Sequence, residues 1–239
     1  MTDHEVENIL FLDIETVSQY VDFAELPVEL SELWKKKSTR ITGNFDSPAD
    51  AYFQKAGIYA EFGKVVVIGL GYLRKQADGD YAIRVKALQN DNELLLLKEF
   101  VSILEKFDAN NLKLCAHNGK EFDIPFLCRR LMIQGMQIPE ILDVRDKKPW
   151  EITHLDTLQM WKFGDWKNYT SLELLTTILN IPSSKQDLDG SKVNEQYHIH
   201  QNLEHIAKYC CQDVVATAQV YLKLNALSTV LEQNIQFVE

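Results

Sequence analysis

The chain has 239 residues, 46% hydrophobic and 10% aromatic, which is enough to bury the core of one large domain. A net charge of −10 excludes a surface that grips nucleic acid over its whole area, but not a cleft that holds a few nucleotides with local cations and metal ions. No apolar run is long enough to cross a membrane, the acidic start MTDHEVEN is unlike a signal peptide, and Cys115, Cys128, Cys210 and Cys211 lack metal-binding spacing, so reduced thiols in a cytoplasmic protein are expected.

Ile9 to Leu12 is an unbroken apolar run, which predicts a strand packed on both faces and ending near Ile14. Residues 18–62 break the pattern with mixed charge, Pro27, Pro48, Gly43 and Gly57, and read as an insertion carrying short helices. KVVVIGLGYL (64–73) predicts a second strand, DGD (78–80) a hairpin turn and YAIRVKAL (81–88) a third strand. Asn90 and Glu93 read as the cap of a helix with a Leu97, Val101, Leu104 stripe. NLKLCAHNG predicts a short buried fourth strand, and Pro125 places the first turn of the helix PFLCRRLMIQ. ITHLDTLQM (152–160) predicts a fifth strand, and Thr170 with Glu173 a capping box before LLTTILN. Residues 183–200 read as a polar loop with a short turn, and 202–224 as the last long helix. The expected fold is α/β: a mixed five-stranded sheet flanked by helices, in a single domain over 1–239 with an insertion at about 18–62.

Three places break the rules of burial. Asp13 and Glu15 lie two apart on the first strand, so their side chains share a face. At about 6 Å they repel by about 2–3 kcal/mol at an effective dielectric near 20, unless the strand end is simply solvated. Asp123 precedes a helix, where a carboxylate also serves as a cap or dipole partner. Asn118 and Gly119 nearby fit a turn equally well. Asp213 is the single charged residue in YCCQDVVATAQVYL, and a buried carboxylate there costs several kcal/mol unless something pairs with it. Tyr209 lies one turn earlier on the same helix face. Four carboxylates from separate elements, with no Lys or Arg inside that strand or helix, suit oxygen-binding Mg²⁺ or Mn²⁺. Two such ions activate a water and stabilise the leaving oxygen of a phosphodiester.

FLDIET, HNGKEFDIPFL and YCCQDVV, in that order, resemble the three motifs of the DEDD superfamily of 3′–5′ exonucleases, the last in its Y-x-x-x-D form. The likeness is greatest to the proofreading exonuclease of family B DNA polymerases, in a stand-alone bacterial form, and DTLQMW and TSLELLTTILNIP extend it. The resemblance implies a ribonuclease-H-like fold and two-metal hydrolysis that releases nucleoside 5′-monophosphates from a single-stranded 3′ end, DNA being favoured over RNA. It implies that Asp13, Glu15 and Asp213 hold the ion that binds the attacking water. Asp13 would also reach the second ion, and Asp123 would bind that ion mainly through water. Tyr209 would orient the water; a phenol of ordinary pKa near 10 is a poor base at neutral pH. Glu15 and the backbone at Thr16 would meet the 3′-hydroxyl, with Asn118 and Phe122 beside the last nucleotides, although Phe122 equally suits the core. Asp156 fits a structural hydrogen bond, and Asp187 and Asp189 solvated turns.

Nucleic-acid grip would rest on patches. WKKKSTR (Trp34 to Arg40) and DKKPW (Lys147, Lys148, Trp150) join cations to an aromatic that stacks on bases, or else are solvated loops; Lys162, Lys167 and Lys185 are scattered candidates. Two rival readings stay open: an RNA 3′-end trimming exonuclease, and a nuclease-fold protein that binds nucleic acid without catalysis.

Overall fold

The opening apolar run forms strand β1 (Ile9–Ser18) in a computed structural model that describes residues 6–108, 110–165, 167–182 and 188–238. β1 is buried on both faces. Leu10, Leu12 and Ile14 enter the core beneath helices α3 (Glu93–Leu104) and α4 (Asp123–Ile133), while Ile9 and Phe11 pack on the other side against Val214 and Tyr221. β1 pairs antiparallel with β2 (Gly63–Lys75) and parallel with β4 (Lys113–Ala116). It runs four residues past the expected end at Ile14, because a register shift between Glu15 and Thr16 lets pairing continue to Ser18.

β2 turns antiparallel into β3 (Tyr81–Gln89), as the DGD turn predicts. Among the described residues the sheet has six strands rather than five, in the order β5-β4-β1-β2-β3-β6. β6 (Ile235–Phe237), too short to show a period, lies parallel on the outer edge of β3. β5 shrinks to Leu155–Asp156, since the Asp156 side chain accepts from Leu158 and Gln159 N–H and starts helix α5 (Thr157–Lys162) where continued strand was expected.

Two further caps differ from expectation. Asn92, not Asn90, caps α3, and Ser171, not Thr170, caps α6 (Leu172–Ile178). Glu93 does no capping. It is buried, bridged at 2.5 Å to Arg130, and accepts from Val65 N–H, so it ties α3, α4 and β2 together. The polar 188–200 segment is more helical than expected: Asp189 accepts from Ser191 N–H, and a short turn leads into α7 (Val193–His198). Asn202 caps α8 (Leu203–Leu224), the long helix on the sheet.

In the 18–62 region, α1 (Val28–Ser38) and α2 (Pro48–Lys55) pack around Trp34, which is fully buried and donates from its indole to the Pro48 carbonyl. Trp34 is therefore core and not a base-stacking surface. Among the described residues no helix is long and apolar enough to cross a membrane, and all four cysteines are free.

Candidate active site

The β1–β2 register is regular through Asp13 opposite Gly69 and Glu15 opposite Val67, so both carboxylates project from the face that α8 covers. Gly69 lets the helix come close. A Cβ there would lie 2.8 Å from both Cys210 Sγ and Val214 Cγ2. The Cys210 thiol donates to Asp13 Oδ2 at 3.2 Å, and ligand atoms of Asp13, Glu15 and Cys210 all lie within 4.8 Å of one another. Thr16 is half-buried just past the register shift.

Asp123 begins α4 and is buried; its Oδ1 accepts from Ile14 N–H at 3.2 Å, which sets it against β1 between the two acids. The loop that delivers it hangs on Asp156. That carboxylate accepts from Asn118 and Lys120 N–H at 3.1 Å each, besides its bonds to the start of α5. Asn118 takes a left-handed backbone there, at φ 64°. Phe122 is half-buried, its ring 5.5 Å from that of Phe126, and so leans on the core.

Asp213 and Tyr209 come from adjacent turns of α8, close enough for the Asp213 charge to act on the phenol. Burial raises the pKa of Asp13 well above the usual carboxylate range, and the charges of Asp123 and Asp213 push it further. Burial followed by the charges of Asp13, Asp213 and Asp123 does the same to Glu15. Asp123 is lifted to about 7, burial outweighing the backbone N–H groups that favour its charged form. The Tyr209 phenol is driven well above its ordinary value by burial and by the charges of Asp213, Glu15 and Asp13. The neighbouring carboxylates thus raise the cost of ionising Asp13 and Glu15.

Asp13, Asp213 and Tyr209 line a cavity of about 640 Å³. Tyr169, His117 and the start of α6 also line it, with Leu188, Asp189, Gly190 and Lys192. Lys192 is the single Lys or Arg among the described lining residues. An oxygen-rich, anionic donor set of this kind fits hard divalent cations, and the repulsion within it falls once they bind. Cys210 adds a softer donor beside Asp13. A second cavity of about 750 Å³, between the start of α8 and β3 with Phe237, holds none of the converging acids.

Of the five expected catalytic positions, Asp13, Tyr209 and Asp213 line this cavity, and Glu15 and Asp123 lie buried close to Asp13. Expectation missed Cys210, Tyr169, His117 and Lys192. Tyr169, an aromatic in the polar loop DWKNYTS, left the clearest trace, whereas the other three carry no local signal. Of the proposed grips, Trp150 is 77% exposed with Lys148 Nζ 5.4 Å from its ring. Lys162 is half-buried and Lys167 exposed. Lys185 and Asp187 lie outside the described residues.

A family described as a predicted 3′–5′ exonuclease related to the exonuclease domain of PolB matches residues 58–237. That stretch carries Asp123, Tyr209 and Asp213; Asp13 and Glu15 lie ahead of it. No curated protein matches. A family B DNA polymerase from the hyperthermophilic archaeon Pyrobaculum calidifontis superposes with a TM-score of 0.53 at 14% identity, over 90% of this chain. The chain spans 24% of that polymerase, so the likeness speaks to the ribonuclease-H-like fold alone. The RNase domain of yeast Pop2 aligns over 96% of this chain and 81% of its own length, at 12% identity and a TM-score of 0.39. With the family match covering residues 58–237, the chain belongs to the predicted 3′–5′ exonucleases related to the exonuclease domain of PolB.

Proposed function

We propose that the protein is a metal-dependent 3′–5′ exonuclease that removes nucleotides from single-stranded ends, with DNA as the favoured substrate. The observation that supports this reading is a cleft lined by Asp13, Asp213 and Tyr209, with Glu15 and Asp123 close enough to Asp13 for the acids' charges to oppose the ionisation of Asp13 and Glu15. Asp13, Glu15 and Asp213 would hold one divalent cation, and Asp13 with Asp123 a second. When bound, two Mg²⁺ or Mn²⁺ ions supply the Lewis acidity that makes water nucleophilic and steadies the leaving oxygen. Tyr209 keeps its proton, because burial and the neighbouring carboxylates resist a phenolate. One helical turn from Asp213, it would orient the attacking water without acting as its base. Water adds to the terminal phosphorus, the bond to the preceding 3′-oxygen breaks, and a nucleoside 5′-monophosphate leaves. Glu15 and the backbone at Thr16 would meet the 3′-hydroxyl, with Asn118 beside the last nucleotides. The whole chain would act as one exonuclease domain in which 18–62 is an insertion, and its free thiols suit a reducing, cytoplasmic setting.

The test uses 5′-labelled single-stranded DNA and RNA of equal sequence with Mg²⁺, Mn²⁺ or EDTA, and an Asp213→Ala variant alongside. The expected result is a ladder shortened from the 3′ end, lost with EDTA and in the variant. No cleavage of either substrate with either metal overturns the exonuclease reading, and undiminished cleavage by the variant overturns the site. The ratio of DNA to RNA cleavage decides between DNA processing and RNA 3′-end trimming.

A further inference from the structure

Tyr169 stands apart from the other aromatics at the cleft. The residue is 67% exposed, yet its surroundings are fixed. The Thr170 carbonyl next to it bonds His117 Nε2 at 2.9 Å, and Ser171 caps α6 by accepting from Leu174 N–H. The His117 ring is itself held on its far side, 2.9 Å from Thr157 Oγ1, and meets the Tyr169 ring edge-on with centroids 6.5 Å apart. Burial keeps His117 neutral, so it supports the ring as a flat neighbour and not as a charge. Partial burial raises the Tyr169 pKa, and Asp123 and Asp156 lie close enough for their charges to raise it further. An uncovered ring on fixed backbone, in the wall of the cleft that holds the acids, is arranged to receive a flat apolar surface.

We propose that Tyr169, backed by His117, is the stacking platform for the terminal base of a single-stranded 3′ end, and that it makes the protein select unpaired ends without regard to sequence. Every base offers a π-face, so a tyrosine platform binds each of them. A base within a duplex has its faces covered and its edge paired, so it reaches the platform only after leaving the stack. Lys192, which lines the same cleft, would meet the phosphate of the seated nucleotide. This inference rests on the exonuclease reading for the direction of the strand, but its test does not depend on cleavage.

The experiment compares two 5′-labelled oligodeoxynucleotides that differ in one respect: the terminal 3′ nucleotide of the second carries no base. Binding is followed by anisotropy with Ca²⁺ in place of Mg²⁺, and cleavage by single-turnover kinetics with Mg²⁺. The wild type is expected to bind the base-bearing end about tenfold more tightly, equivalent to about 1.4 kcal/mol. Tyr169→Ala should bring that ratio to about one, and Tyr169→Phe should keep it. An undiminished ratio in Tyr169→Ala, no ratio in the wild type, or loss in Tyr169→Phe equal to that in Tyr169→Ala overturns the platform. A Tyr169-dependent ratio without cleavage supports the platform and removes the exonuclease reading; cleavage without that dependence does the reverse.

Discussion

Asp123→Asn should make the metal-free protein more stable at neutral to alkaline pH, although it alters a residue of the candidate active site. Asp123 is 4% exposed and titrates at about 7, some three units above an exposed aspartate near 3.9. At 1.36 kcal/mol per unit, ionised Asp123 costs the folded state up to about 4 kcal/mol. The sign follows from the raised folded value. Below about pH 4 the group is protonated in both states and contributes nothing, the cost develops between about pH 4 and 7, and it is complete above 7. Asparagine keeps the oxygen that accepts from Ile14 N–H and carries no charge. Urea unfolding in EDTA at about pH 8 should therefore show the variant more stable by about 2–4 kcal/mol, with the gap closing toward pH 4. Adding Mg²⁺ should narrow the gap at pH 8, because the wild type gains more from binding. A variant less stable than wild type at pH 8 without metal, or a gap independent of pH, would refute the reasoning.

Other perturbations reach the site through its supports. Glu93→Gln leaves Arg130 buried without its counter-charge and should cost about 3–5 kcal/mol in urea unfolding, while the Glu93→Leu/Arg130→Met pair should cost less than the sum of its single changes. Asp156→Ala takes the acceptor from four backbone N–H groups at both ends of the 118–158 connection. It should cost about 2–4 kcal/mol and lower single-turnover cleavage about tenfold or more, though Asp156 touches no substrate. Gly69→Ala sets a methyl group 2.8 Å from Cys210 and Val214. α8 must then lift, destabilising the fold by about 1–3 kcal/mol and weakening Mn²⁺ binding measured by calorimetry.

The site was legible because its chemistry conflicts with its surroundings. Asp13, Glu15 and Asp213 stand out as charges inside apolar segments, a contrast that survives ignorance of the fold. What holds them in place was less visible. Gly69 looks like a strand defect until α8 is seen to cross it, and the Cys210 bond to Asp13 spans 197 positions of sequence. Glu93 read as a cap because it follows Asn90 by three, but the pull of Arg130 from another helix draws it into the core. β5 and β6 were misjudged for a different reason. Segments of two and three residues show no alternation, and only the edge of a neighbouring strand defines them. Trp34 was misplaced because a local run of lysines carries no sign that its aromatic faces inward.

The identity of the released product tests the central claim most directly. An oligodeoxynucleotide with a free 3′-hydroxyl is incubated with Mn²⁺ and either the wild type or Asp13→Asn, and the small products are read by mass spectrometry over time. The cleft described above predicts nucleoside 5′-monophosphates released singly from the 3′ end by the wild type, with none from the variant or in EDTA. Nucleotides bearing a 3′-phosphate, internal fragments at early times, or release that survives Asp13→Asn would contradict it.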